Sequence, residues 1–292
     1  MPPPARLTLA ALALAAGLAG CATLDTWQRK AIFQHERTAF DAAYADAAPP
    51  GAEVFDLAVA GGGSLHAWYL EAAPDAPTML FLHGARRSLA GSRHRIDRLA
   101  GLGLNVLAID YRGFGRSSPL LPSEASALHD ARVAFDELRR RQPDARLRFV
   151  YGYSLGGALA IGLAAERDDL GGVVVESTFT NIADLVRTSR WGWVPFLDAA
   201  VTQPFDSRER VRRVTEPLLF VHGTADGVIP HWMSDELHAA AGGVPPELKR
   251  VVKIDGANHR GAPFVDRAAY DRALLDFLAA SVNGPARGDR PG

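Results

Sequence analysis

Between Arg148 and Gly157 the chain reads Arg-Phe-Val-Tyr-Gly-Tyr-Ser-Leu-Gly-Gly, and an Ala/Leu-rich run from Ala158 to Glu166 follows. An apolar strand therefore enters a turn built on Gly152, Ser154 and Gly156 and leaves as a helix. So sharp a turn holds its serine in a strained backbone conformation. Glycine on either side removes the Cβ atoms that would strike adjoining backbone. The serine hydroxyl is presented at the carboxyl end of the strand, and the helix aims its first N–H groups at the same place. Gly-x-Ser-x-Gly alone arises by chance in a chain this long with probability roughly 0.1, so the motif needs support from elsewhere.

The rest of the chain supplies a regular alternation. Val54 to Ala60 and Leu65 to Leu70 read as two short strands around the Gly61-Gly62-Gly63 turn, a hairpin signal. Thr78 to Leu82, Asn105 to Ile109, the strand before Ser154, Gly172 to Val175, Leu218 to Val221 and Arg250 to Ile254 are continuous apolar runs. Helices are expected at Ser88 to Leu99, Ser123 to Arg141 and Ala262 to Ala280. Eight strands, mostly without in/out alternation and separated by helices, predict an α/β fold with a mostly parallel sheet covered on both faces. Sites in such sheets form at the carboxyl ends of strands. His83-Gly84, Asp110, Ser154, Glu176, Asp226 and His259 all stand just after predicted strands.

A serine hydroxyl is a weak nucleophile at neutral pH. It needs a base to take its proton, and the base needs an acid to fix its tautomer. After a Gly-x-Ser-x-Gly serine the expected chain order is acid, then histidine. His259, in the loop after the last strand, is the candidate base; His222, His231 and His238 stand in less suitable places. Asp226 is the first candidate acid and Glu176 its rival. Backbone N–H groups of Ala85 and Leu155 are the candidate oxyanion donors, and His83 is expected to order a loop. The glycine-rich stretch Asp110 to Ser117 is expected to line the site as a tight loop. No His-Glu-x-x-His or Cys-x-x-Cys occurs, so neither metal nor cofactor is expected.

Together His83-Gly84, Asp110 to Ser117, Gly152 to Gly156, His222 to Asp226 with Pro230, and Asn258-His259 resemble the α/β-hydrolase superfamily over roughly 53–280. The resemblance implies an α/β-hydrolase fold and a Ser154–Asp226–His259 triad. Glu176 to Thr180 and a compact insertion at about 181–214 are similar to the alpha/beta-hydrolase-domain group that includes lysophospholipases and protein depalmitoylases. That group often carries His-Gly-Asn-Ala-Gly after its third strand, where this chain has His83-Gly84-Ala85-Arg86-Arg87. The pocket is therefore expected to differ there. Trp191, Trp193, Pro195 and Phe196 either form a small apolar cap over Ser154, which favours acyl ester or thioester substrates, lipids among them, or only pack the insertion onto the domain. A peptidase or amidase on the same scaffold, and a non-catalytic envelope binding protein, are the alternatives.

The first residues belong to another role. Arg6 precedes an apolar run, Leu7 to Leu18, too short to span a bilayer and suited to a signal peptide over 1–20. Leu18-Ala19-Gly20-Cys21 resembles the lipobox of bacterial lipoproteins, which implies cleavage before Cys21, acylation of it, and retention in the cell envelope. Ala22 in place of Asp implies the outer membrane in a Gram-negative cell. Residues 21–52 are then a tethered linker, with a helix-prone stretch from Leu24 to Tyr44 anchored by Trp27, Ile32, Phe33 and Phe40. The tail, 281–292, is Gly/Pro/Arg-rich and expected to be disordered. A formal net charge of -1 and no basic run longer than Arg139-Arg140-Arg141 argue against a nucleic-acid partner.

Overall fold

A computed structural model of the chain describes residues 20–35 and 48–283. Nearly all of the expected signal peptide, together with Phe40 and residues 284–292, lies outside these residues. The elements run β1 (Glu53–Ala58), β2 (Ser64–Leu70), β3 (Thr78–Leu82), α2 (Leu89–Gly101), β4 (Asn105–Ile109), α3 (Glu124–Arg141), β5 (Arg148–Tyr153), α4 (Leu155–Ala164), β6 (Gly172–Glu176), α5 (Ile182–Thr188), α6 (Ser207–Val211), β7 (Leu218–Gly223), α7 (Trp232–Ala240), β8 (Lys249–Ile254), α8 (Ala262–Val265) and α9 (Arg267–Asn283). A helix over 20–33, α1, precedes them.

One eight-stranded sheet has the order β1-β2-β4-β3-β5-β6-β7-β8. β1 and β2 form the expected hairpin, β2 meets β4 antiparallel, and every pairing from β4 to β8 is parallel. From β3 the chain first steps outward to β4, then returns to β5 on the other side and continues through β6 to β8. Connections after β3 and after β5 thus leave in opposite directions, and a crevice opens between their carboxyl ends. Topology alone places the loop after Leu82 and the turn at Ser154 side by side.

The strands read as unbroken apolar runs because both faces are covered. Period-two geometry divides each run between two cores. Leu80, Leu82 and Val150 join one core with Ala131 and Phe135 of α3, Leu159 and Leu163 of α4, and Met233 and Leu237 of α7. Met79, Phe81, Phe149 and Tyr151 join the other, with Ile96 and Leu99 of α2 and Leu274, Phe277 and Leu278 of α9. All ten residues of α4 are buried, which is why it carries no charged residue.

Three boundaries differ from expectation in ways that matter beyond a residue or two at a strand end. The helix after Ser154 starts at once, at Leu155, instead of at Ala158. The last predicted helix is two, α8 and α9, and α9 extends to Asn283, so 281–283 are helical where a disordered tail was expected. α1 closes by residue 33. Its Phe33 is fully buried against Phe114 and Phe205, whereas Trp27 is 62% exposed.

Candidate active site

Ser154 links β5 to α4 with φ 55° and ψ -119°, a left-handed value that a side-chain-bearing residue rarely adopts. The surroundings enforce it. A Cβ on Gly152 would lie 2.2 Å from the Gly156 carbonyl oxygen, and one on Gly156 would lie 2.0 Å from that of Leu82. The Ser154 N–H donates to the Glu176 carbonyl at 2.8 Å, and its own carbonyl accepts from Thr178 Oγ1 at 2.8 Å. The strain is thus held by bonds to β6 and the loop after it.

Ser154 Oγ lies 3.1 Å from His259 Nε2, and His259 Nδ1 lies 2.7 Å from Asp226 Oδ2. A carboxylate can only accept, so Nδ1 carries the proton and Nε2 is left to accept from the serine hydroxyl. Asp226 Oδ1 accepts backbone N–H bonds from Val228 at 2.8 Å and Ile229 at 2.9 Å. His222 Nε2 stands 3.1 Å from both Asp226 Oδ2 and the Ile229 carbonyl. Both partners are acceptors, so this nitrogen is protonated and the ring is a second donor to the same carboxylate. Burial alone would raise the Asp226 carboxyl. The bonds from His222, His259 and Ile229 outweigh it and hold the group well below the ordinary carboxylate range. His222 is thus no base, and its place four residues before Asp226 is the sequence signal for this other duty.

Glu176, the rival acid, does not face His259. It is fully buried and takes Arg95 Nη2 at 2.6 Å and Nε at 3.4 Å, with Tyr270 Oη at 3.3 Å and the Tyr151 hydroxyl also donating. Arg95 in turn donates to the Arg260 carbonyl at 3.2 Å, and its guanidinium stacks 3.8 Å over the Tyr153 ring. The Tyr153 hydroxyl donates to the His259 carbonyl at 3.1 Å. Burial pushes the Tyr153 phenol up to about 12, so it remains a donor. Glu176, Arg95 and Tyr153 therefore prop the backbone of the His259 loop.

His83 is buried and donates from Nδ1 to the Gly84 carbonyl at 2.8 Å. Burial lowers its pKa to about 4, so the ring is neutral. It packs on Tyr111 and Phe114 beneath the crevice, as a loop-ordering residue would. The loop at 110–117 lies in this layer: Asp110 Oδ1 accepts the Leu89 N–H at 2.8 Å, and none of the loop's residues reaches the cleft wall. That differs from the expected lining role. Ala85 and Leu155 both line the cleft with Ser154, and Leu155 opens α4, where a backbone N–H has no intrahelical acceptor.

The cleft holds about 450 Å³. Phe179, then Ile182, Leu185 and Val186 of α5, form one apolar wall, and Val228 and Ile229 another. α1 reaches the cleft through Ile32, with Gln34 just after it. The Phe33 carbonyl accepts the Arg86 N–H at 3.0 Å, which fixes the loop carrying Ala85. The insertion's aromatics do not form the wall. Trp193 is 76% and Phe196 83% exposed, and Trp191 is half-exposed. A helical i, i+3, i+4 stripe on α5 does the work the tryptophans were expected to do. Cys21 is exposed on α1, at the far end from Ile32. Among the described residues no helix is long and apolar enough to cross a membrane.

The family described as serine aminopeptidase, S33 matches residues 73–204, a span that holds Ser154 and stops before Asp226 and His259. An uncharacterized protein of Mycobacterium tuberculosis, Rv2307c, is 34% identical over 228 residues, covering 76% of this chain and 77% of its own. The protein bem46 of Schizosaccharomyces pombe is 30% identical over 222 residues, covering 74% and 72%. Among solved structures, the Pyrococcus furiosus esterase Pf2001 superposes with a TM-score of 0.66 at 20% identity, over 80% of this chain and 93% of that one. Est1E of Butyrivibrio proteoclasticus, solved with ferulic acid, gives 0.63 at 19% identity, over 77% and 99%. At such identities the structural likeness speaks to the fold alone.

Proposed function

From the premise that this chain belongs to the α/β-hydrolase superfamily, in the family of bem46 and Rv2307c, we propose that it cleaves carboxylic esters or thioesters through an acyl-enzyme. The observation that carries the proposal is the unbroken line from Ser154 Oγ through His259 to Asp226, at 3.1 and 2.7 Å.

Ser154 Oγ attacks the acyl carbon as His259 Nε2 takes its proton. Asp226 keeps its charge and stabilises the imidazolium. The oxyanion is met by the Ala85 and Leu155 N–H groups, each worth about 2.7–4 kcal/mol in such a site. His259 then hands its proton to the departing oxygen or sulfur. A water molecule, activated by the same ring, releases the acid and restores the serine. Fluorophosphonate labelling of Ser154, absent from Ser154→Ala, together with turnover of short acyl esters, is the expected result. An unlabelled wild type that ignores those esters refutes the proposal and leaves a binding protein.

The name serine aminopeptidase raises a second reading, a peptide substrate. An aminopeptidase must hold a free ammonium, yet among the described residues the cleft is lined by Arg86, Arg87 and Arg260 and by no carboxylate. That composition supports an ester over an amino-terminal peptide. Matched acyl esters and amides separate the two, and faster cleavage of the amide would favour the peptidase.

The exposed Cys21 suits a lipid anchor in the cell envelope, in the outer membrane of a Gram-negative cell. Cys21→Ser is expected to release the protein from membranes, and unchanged membrane retention would refute the anchor.

A further inference from the structure

Three arginines line the cleft with Ser154, Arg86 and Arg260 exposed at its mouth and Arg87 half-buried, and their positions in the chain carry information. Arg86 and Arg87 follow Ala85 directly, and Arg260 follows His259 directly. Arg86 adopts φ 61°, a left-handed value for a residue with a side chain, and its N–H is tied to Phe33. Among the described residues no carboxylate is bonded to any of the three side chains; Arg87 spends one N–H on the Gly91 carbonyl at 2.9 Å. Arg95 nearby differs, since Glu176 neutralises it.

The charge is felt by its neighbours. Burial, then repulsion from Arg260 and Arg95, lowers the Arg87 pKa. Burial, then Arg95 and Arg87, pushes His94 down to about 4. Three cleft arginines with no bonded carboxylate are an arrangement that an incoming anion complements.

Chemistry decides on which side of the scissile bond that anion lies. His259 must protonate the leaving group, so the leaving group passes beside His259 and hence beside Arg260. The acyl portion has the apolar wall of Ile32, Phe179, Ile182, Leu185 and Val186. We propose that the substrate is an acyl ester or thioester whose leaving group carries a phosphate close to the scissile bond, read by Arg86, Arg87 and Arg260. This rests on the serine-hydrolase reading above. Planar guanidinium forks match phosphate oxygens in pairs, which makes arginine the suited residue. The reaction balances as an ordinary hydrolysis: the acyl carbon–oxygen or carbon–sulfur bond breaks, water supplies the acid's oxygen, and the phosphate-bearing alcohol or thiol leaves protonated.

Octanoyl glycerol, octanoyl glycerol 3-phosphate and octanoyl-coenzyme A share one acyl chain and test the idea together. The glycerol phosphate ester is expected to exceed the neutral glycerol ester at least about tenfold in kcat/KM at low salt, the advantage shrinking as salt screens the field. The double variant Arg86→Gln/Arg260→Gln keeps both backbones and is expected to lose about tenfold more on the phosphate ester than on the neutral one. Preference for the coenzyme A thioester over the glycerol phosphate would mark a soluble carrier as the source of the phosphate, and the reverse a lipid. Ser154 labelled by fluorophosphonate, with no preference for either phosphate substrate over the neutral ester, overturns the proposal, as does a preference that survives the double variant. Absence of labelling instead overturns the hydrolase reading beneath it.

Discussion

Glu176 and Asp226 hold nearly equivalent addresses. Glu176 ends β6, Asp226 follows the end of the neighbouring β7, and both are buried. Their partners differ. Asp226 is met by two imidazoles, His222 and His259, and by two backbone N–H groups. Glu176 is met by a guanidinium and two phenols. An imidazole can take and return a proton near neutral pH, whereas an arginine cannot give one up. The carboxylate facing the imidazole is therefore fit for a catalytic cycle, and the one facing arginine is fit for holding structure. In this sheet the hydrogen-bond partner assigns the duty, and the strand end alone does not.

The sharpest way to break this comparison is to neutralise each carboxylate in turn. Asp226→Asn is expected to lower kcat by about 10⁴, because the amide cannot hold the productive tautomer of His259. A loss under tenfold, measured on a short acyl ester, would sink the assignment. Glu176→Gln is expected to act on stability, leaving Arg95 buried without its counter-charge at a cost of about 3–5 kcal/mol in urea unfolding. The double variant Glu176→Gln/Arg95→Met should recover part of that loss, and a double variant less stable than the single would contradict a paired role. Tyr153→Phe removes one hydrogen bond to the His259 loop, about 1 kcal/mol, and should slow kcat severalfold with KM little changed. An equal rise in KM would point to the substrate instead.

The smallest effect is in acid. The native Asp226 carboxyl is held below its unfolded value, so its stabilising contribution is complete above the ordinary carboxylate pKa of about 3.9 and is lost as pH falls from there. The melting temperature of the wild type should therefore drop further than that of Asp226→Asn below that pH. Parallel melting curves would show that Asp226 gains nothing from its two histidines.

What the residues disclose in advance divides along the same line. Ser154, Asp226 and His259 were legible because each follows a strand, and the strands announce themselves as apolar runs. The glycines at 152 and 156 were legible because their constraint is local. Arg95 was not. It stands on an amphipathic helix where a charged residue reads as solvent-facing, and its partners Glu176 and Arg260 are 81 and 165 residues away. The tryptophans of the insertion misled through their size, since large aromatics suggest a wall, and the smaller aliphatics of α5 provide it. The contact between Phe33 and the loop at Ala85 has no local signature of any kind, because a backbone carbonyl accepts whatever N–H the fold delivers.

α1 joins Cys21 to the cleft without a break in its helix until residue 33. At about 1.5 Å per residue, the chain from Cys21 to Ile32 measures roughly 17 Å. A helix of that length is stiff, so an attachment at Cys21 would set a standoff height as well as a location. The mouth of the cleft would be held at one altitude above whatever surface bears the anchor, and substrates would be chosen by how far they protrude as much as by what they are.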